Sequence, residues 1–319
     1  GDLKGECSWL EPEELSGDFE LRGSIGDDAI TVRLAGSGRG ECWLLDRLKV
    51  AARGGTADFR GATGSGEQTI SGHWNDFSVA FLASLDERLA GMDGRVTGAV
   101  ELTTRKGIAT GSLSWETPLL SVAGSQITNA GGTLELRNGR LYLRDWRGDA
   151  AGRTARLDGS LPVPGKMAEI LGVKPQGGID LIASVPKGPL APLAAWAPLL
   201  PAAVREMAAI LRNGQAQGEL SLQVKGTLEA PLFNGELTVA DGRLILPNPW
   251  GDVSNISAQV AFKGASVQVE RLSGELLGGR LSADGEINWR TLRQPSLVAK
   301  VSGSLRPKLP GMEATGDVR

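Results

Sequence analysis

The chain is poor in the residues that most often carry chemistry: two cysteines, one histidine and one tyrosine in 319 residues. With no CxxC pair and no second histidine, the usual zinc arrangements are excluded. His73, in Gly72-His-Trp-Asn75, has no Ser or Cys in a nucleophile-elbow setting to serve, so a hydrolytic triad has no support. It reads as a surface or strand-end residue. The paired carboxylates Glu13-Glu14, Asp27-Asp28 and Asp86-Glu87 adjoin turns or a helix start, and solvated loop charge accounts for them better than acid–base work. Gly36-Ser-Gly38, Gly64-Ser-Gly66 and Gly177-Gly178 lack the Lys-Ser/Thr of a phosphate loop and read as turns. Asp-Gly and Asn-Gly pairs lack the nine-residue period of calcium-binding β-helices. We therefore expect no enzyme, no cofactor and no metal.

Long apolar runs are missing too. The longest, Leu190 to Leu200, is broken by Pro192 and Pro198 and falls far short of the roughly 18–20 residues of a spanning helix. The tryptophans spread from Trp9 to Trp289 without forming two belts, which weighs against an outer-membrane barrel. Net charge is −3 with both signs mixed along the chain. Without a basic stripe, nucleic acid is excluded as a partner, and a charge-driven grip on anionic lipid heads is disfavoured. The chain starts without Met or a signal peptide and ends in what reads as another strand. Both ends are expected to be cut edges of a longer protein, whose membrane anchors would lie elsewhere.

What is present is glycine, 45 residues, and a strand-like alternation between glycines. Glu219-Leu-Ser-Leu-Gln-Val-Lys225 places Leu220, Leu222 and Val224 on one face and polar groups on the other. A two-residue loop at Asp241-Gly242 would make a hairpin facing Val239 with Leu244 and Leu237 with Leu246. A loop at Asn138-Gly139 would pair Leu136 with Leu141 and Leu134 with Leu143. Val260, Phe262, Val267 and Val269 follow the same rule around Lys263-Gly264, as do Phe19 and Leu21 with Ile30, Val32 and Leu34. Short proline-rich spots at Pro162–Pro164, Pro186–Pro192 and Pro247–Pro249 read as turns at sheet edges.

Three stretches depart from the strand period. Residues 201–212 carry Val204, Met207, Ala208 and Leu211 at helical spacing, opened by Pro201 and closed by Asn213-Gly214. Ser84-Leu-Asp-Glu87 is a capping box opening a short helix that carries Leu85 and Leu89. Pro164 to Leu171 reads as a third, shorter turn.

The first two helices each stand just before matching strands, and the strands recur. Gly94-Arg-Val-Thr-Gly98 returns as Gly214-Gln-Ala-Gln-Gly218, Gly111-Ser-Leu-Ser-Trp115 as Gly235-Glu-Leu-Thr-Val239, and Gly152–Gly159 as Gly278–Gly285. Gly54–Gly61 reads as the tail of an earlier copy. A partial first repeat over 1–80, a second over 81–200 and a third over 201–319 follow. Such units bury their apolar faces against neighbours, so function lies along a surface and not in one pocket.

Cys7 and Cys42 sit in similar settings, Gly5-Glu-Cys-Ser-Trp9 and Gly40-Glu-Cys-Trp43. Free thiols and a disulfide between nearby strands both remain open, the latter favouring an oxidising compartment.

The stretch from Gly218 to Pro247 resembles the recurring phrase of the TamB and wider AsmA-like proteins. That phrase is an alternating strand, then Gly226-Thr-Leu-Glu-Ala-Pro231, then Gly235-Glu-Leu237, a hairpin and a proline. The likeness continues through Val267-Gln-Val269 and Gly278-Gly-Arg-Leu-Ser-Ala-Asp-Gly285 to Ile287. It is clearest over 214–305, looser over 94–165 and faint before 80. Pattern alone favours a closed sandwich with a dry core. The resemblance instead implies a mostly β fold, a long curved antiparallel-rich sheet forming an open, taco-like groove with short helices at repeat boundaries.

By the same resemblance the protein would sit in the periplasm of a diderm bacterium, anchored in the inner membrane. Phospholipid acyl chains would be its partners, with an outer-membrane barrel protein of the BamA/TamA type engaged through parts outside this segment. Expected lining residues are Leu134, Leu136, Leu141, Leu143, Leu220, Leu222, Val224, Leu237, Val239, Leu244 and Leu246, followed by Val260, Phe262, Val267, Val269, Leu281 and Ile287. Val204, Met207 and Leu211 would plug or gate the groove, or merely cap apolar surface at a repeat junction. Non-enzymatic lipid conduction is the leading expectation. A scaffold for outer-membrane protein assembly that pairs with client strands is the alternative, and a repetitive adhesin of closed sandwiches a third.

Overall fold

The computed structural model describes residues 2–318, except 12–13, 26–27, 65, 84–90, 107, 123–124, 151, 191–214, 228–229, 246–251, 277–278, 290–294, 306–307, 310–311 and 314–315. Strands dominate, as the period-two alternation requires. The chain divides into two compact units, one of Gly1–Gly148 with Gly159–Gly177, the other of Asp149–Asp158 with Gly178–Arg319.

In the first unit the strands are β1 Asp2–Glu11, β2 Glu14–Ile25, β3 Asp28–Arg39, β4 Cys42–Ala52, β5 Gly55–Gly64 and β6 Glu67–Ser78. After the short helix α1, Val79–Ala83, come β7 Met92–Arg105, β8 Ile108–Val122, β9 Ser125–Arg137 and β10 Arg140–Ala150. Strands β1 to β9 each pair antiparallel with the next, and β10 lies beside β9. β11, Arg153–Pro162, is shared by the two units, and α2, Gly165–Leu171, follows it.

The second unit continues with β12 Ile179–Pro189, β13 Gln215–Gly226, β14 Pro231–Ile245, β15 Asp252–Gly264, β16 Ser266–Leu276, β17 Gly279–Trp289 and β18 Pro295–Leu305. They again pair antiparallel in chain order. The short strands β19 Lys308–Leu309, β20 Met312–Glu313 and β21 Gly316–Val318 close the chain's described part.

One hairpin forms where expected and a second forms one residue further on. At Asn138-Gly139 both residues take positive φ, 51° and 68°, as a tight two-residue loop needs. Val260 pairs with Val269 and Phe262 with Val267, although the loop is Gly264-Ala265, one residue later than expected. Phe19 pairs with Leu34 and Leu21 with Val32, as the alternation implies.

The Asp241-Gly242 hairpin does not form. β14 runs straight through it, and Val239 pairs with Ala258 and Leu237 with Val260 of β15 in place of Leu244 and Leu246. Asp241 has φ 54° and the register slips on either side of Gly242. The dipeptide is a β-bulge, since a left-handed Asp serves a bulge as well as a turn. Asp76 and Asn255 take the same conformation at register breaks in β6 and β15.

The expected turn at Pro164–Leu171 is helix α2, entered at Pro164 and closed by left-handed Gly172 at φ 63°, whose N–H reaches back to Glu169 O at 3.2 Å. The expected helix from Ser84, with Leu85 and Leu89, and that over 201–212, with Val204, Met207 and Leu211, lie outside the described residues. α1 ends at Ala83, immediately before the Ser84 at which the first of them is expected to open.

Candidate functional site

Cross-strand partners point to the same side of a sheet, so the pairing register fixes which side chains share a face. In the second unit Leu181, Ala183 and Val185 of β12 stand opposite Val224, Leu222 and Leu220 of β13. Leu220 then meets Leu237, and Val224 meets Phe233, on β14. The row passes through Val260 and Phe262 to Val269 and Val267, and through Ala258 and Leu272 to Ala283, beside Leu281 on β17. The opposite face carries Glu219, Ser221, Lys225, Glu236 and Gln259, with hydrogen bonds such as Gln259 Nε2 to Glu236 Oε1 at 2.8 Å.

Of the residues expected to line this face, Leu220, Leu222, Val224, Leu237, Val239, Val260, Phe262, Val269 and Leu281 are half-buried and Val267 is buried. Ile287 holds the register position opposite Val267, and Leu244 that opposite Val253. Leu246 lies outside the described residues.

The first unit repeats the arrangement with larger side chains. Ala57, Trp74, Gly98, Trp115 and Gly132 form one cross-strand row. A Cβ on Gly132 would lie 2.7 Å from Trp146 Cγ, and one on Gly98 would strike the Trp74 indole. The indoles thus lie across neighbouring glycines. Trp115 and Trp146 meet edge to face with centroids 5.4 Å apart, and Trp146 Nε1 donates to Thr133 O at 2.9 Å. Phe59 likewise crosses Gly72.

Two helical segments cover this face at opposite strand ends. Phe77 and Phe81, edge to face at 5.5 Å, pack on Ala52 and Ala57 with Ile30, Val50, Phe59, Trp74 and Val96 around them. Ala168 of α2, with Val163 and Val173, covers Ala109, Leu136 and Leu141, and Leu102 and Leu134 flank that cluster. Val163 N and Gln176 N both donate to Gly139 O, at 3.1 and 3.2 Å, fastening the segment to the β9–β10 turn. Leu136 and Leu141, expected to line a groove, are therefore roofed by α2; Leu143 is buried.

The polar face is stitched by charge. Glu20 accepts from Arg22 and, across the β2–β3 pair, from Arg33 Nε at 2.9 Å, and these partners, Arg22 first, hold its carboxyl below the usual carboxylate range. His73 is exposed on this face, in register with Asp58 and Ala99. Among the described residues no three His, Cys, Asp or Glu groups are placed to hold a metal ion. No helix among them is long and apolar enough to cross a membrane, which says nothing of strands.

Cys42 is a free, exposed thiol on β4. Cys7 lies on β1, so three inter-strand steps, roughly 14 Å, separate the two strands. A disulfide needs Cα atoms within about 7 Å. The Cys7–Cys42 bridge is thus not formed.

Two features of the face have no signal in the alternation. The crossing of tryptophan over glycine joins residues on different strands, and only the excess of both residue types hints at it. Arg153, the one buried cation among the described residues, donates from Nη1 to Pro186 O at 2.7 Å and Gly218 O at 2.9 Å. No known protein family, curated protein or solved structure matches this chain.

Proposed function

We propose that this chain is a non-enzymatic lipid-conduit module of the TamB and AsmA-like kind, whose apolar β face shields phospholipid acyl chains between two membranes. The observation that carries this reading is that most of the row from Leu181 to Leu281 is half-buried, Val185 and Val267 being the buried exceptions. A sandwich core would bury such residues. Here neighbours in the sheet cover their flanks and leave their tips for another apolar body. From β12 to β17 the row spans five inter-strand steps, about 24 Å. Each CH₂ laid on it gains about 0.8 kcal/mol, while aliphatic walls offer no directional bonds that would hold a tail at one place.

The repeat supports the same reading. The matching phrases fall on β7 and β13, on β8 and β14, and on β11 and β17, each pair the same number of strands apart in chain order. Bulges at Asp76, Asp241 and Asn255 bend strands locally, as a curled, taco-like sheet requires. The periplasm is the compartment this role implies, with a barrel partner engaged elsewhere in the protein.

Native mass spectrometry of the purified chain, with lipid extraction from the same sample, tests the reading. Co-purified or added phospholipid should be retained by the native chain and lost in Leu222→Asp and Val239→Asp variants that keep their circular dichroism. A lipid-free chain that takes up no phospholipid, yet captures extended strand peptides, would replace the conduit with the scaffold.

A further inference from the structure

Arg153 departs from every other charged residue described in this chain. Its exposure is 8%, and it is the only charged side chain among the described residues that is buried. It lies on the apolar face. A Cβ at Gly188 would stand 2.7 Å from Arg153 Cδ, and Gly188 pairs with Gly218, which shares a face with Leu220, Leu222 and Val224. Leu190, 3% exposed, crosses Gly218 on that same side. The two glycines leave the room through which an arginine and a leucine pass over the strands. Any larger residue there would close the path.

The guanidinium is only half satisfied. Nη1 holds the carbonyls of Pro186 and Gly218, whereas Nε and Nη2 have no hydrogen-bond partner among the described residues and no solvent. Those two nitrogens form the side edge that grips an oxyanion through two parallel hydrogen bonds. The carboxylate nearest in sequence, Asp149, accepts instead from Thr154 Oγ1 at 2.6 Å. Loss of water lowers the arginine's pKa, but an arginine remains charged at neutral pH. A buried cation without a counter-ion is unfavourable until an anion reaches it.

We propose that Arg153 is an anchor for the phosphate of a phospholipid, its Nε–Nη2 edge holding the phosphate oxygens while the tails lie along the face that begins at Leu220. This rests on the lipid reading above and names the part of the lipid that is recognised. The position suits an amphiphile, because the guanidinium stands at a strand end and the aliphatic row runs away from it. Leu190 crosses the neighbouring Gly218, so an entering molecule exchanges apolar contacts there, which a lipid tail can replace and a free phosphate ion cannot.

The test compares dioctanoyl phosphatidic acid, dioctanoylglycerol and inorganic phosphate, each titrated into the full chain and followed by native mass spectrometry and tryptophan fluorescence. The native chain should bind phosphatidic acid at least about tenfold more tightly than the glycerol with the same tails, the range expected for a charge-assisted bidentate contact. Arg153→Met should erase that preference and keep tail binding, and Arg153→Lys should retain part of it. The lysine variant also stands in should the methionine variant not fold. Equal affinities for the two lipids, unchanged by either variant, overturn the anchor and leave the conduit standing. Tight inorganic phosphate binding that depends on Arg153, without lipid binding, keeps an anion site but removes the lipid as its source and the conduit with it. Binding of none of the three overturns both.

Discussion

Gly98 shows how the side chains of this sheet are fitted at the scale of single residues. It stands between Trp74 and Trp115 in the register, and any Cβ there would meet the Trp74 indole and the Ser114 carbonyl oxygen. Gly98→Ala should cost about 1–3 kcal/mol, the usual range for overpacking, and should shift the tryptophan emission. Gly23 sits in a strand with nothing within 4 Å of its missing Cβ. Gly23→Ala should therefore be neutral or gain up to about 1 kcal/mol from lost unfolded-chain freedom. Urea unfolding of both variants decides whether the glycines serve shape or mere turn chemistry. Glu20 offers a second check. Its folded pKa is depressed, first by the Arg22 hydrogen bond, so the contribution is present above the ordinary carboxylate range and lost as pH falls through the folded value. Arg22→Ala should raise the Glu20 titration seen by NMR, while Arg33 keeps part of the depression.

At the scale of elements, bulges and roofs do more than the strands themselves to define the surface. Asp241 holds a left-handed conformation within a continuous strand. Asp241→Val should destabilise by about 1–2 kcal/mol because a β-branched residue meets its own backbone there, whereas Asp241→Gly should be tolerated. Chemical denaturation distinguishes the two. α2 makes a second case. Val163 is fully buried and Ala168 nearly so, beneath the segment that Gly139 O fastens. Val163→Ala should cost about 2 kcal/mol through lost methyls and the space they leave. Ala168→Asp should undock the helix, seen as faster hydrogen exchange at Val163 and Gln176. These elements also mark what the sequence could convey. Period-two alternation makes the faces legible, since Leu220, Leu222 and Val224 share a side whatever the pairing. Asn138-Gly139 is legible because both residues must take positive φ in a two-residue loop. Asp241-Gly242 is not, because a bulge and a hairpin ask the same of an Asp-Gly pair and only the partner strand decides. Arg153 is hidden for the same reason: its surroundings, Gly188 and Gly218, come from strands 35 and 65 residues away.

At the scale of the whole molecule, a conduit and a pocket differ in where a tail is found. A pocket confines its ligand to one cluster of side chains, but an aliphatic row of nearly uniform character gives a tail many equivalent places with low barriers between them. A phospholipid carrying a photoreactive diazirine in its acyl chain should therefore label the apolar face on several strands, at positions such as Ala183, Leu222, Phe262 and Leu281. The polar face, at Ser221 and Gln259, should stay unlabelled. Labels confined to a single strand pair would mean a local binding site, and the long row would then need another partner. Calorimetry adds an independent sign. Tail burial should give a negative heat-capacity change and, because the face is aliphatic and the net charge only −3, little dependence on salt. The salt dependence that remains should vanish with Arg153→Met, separating the one charged contact from the apolar surface that carries the tail.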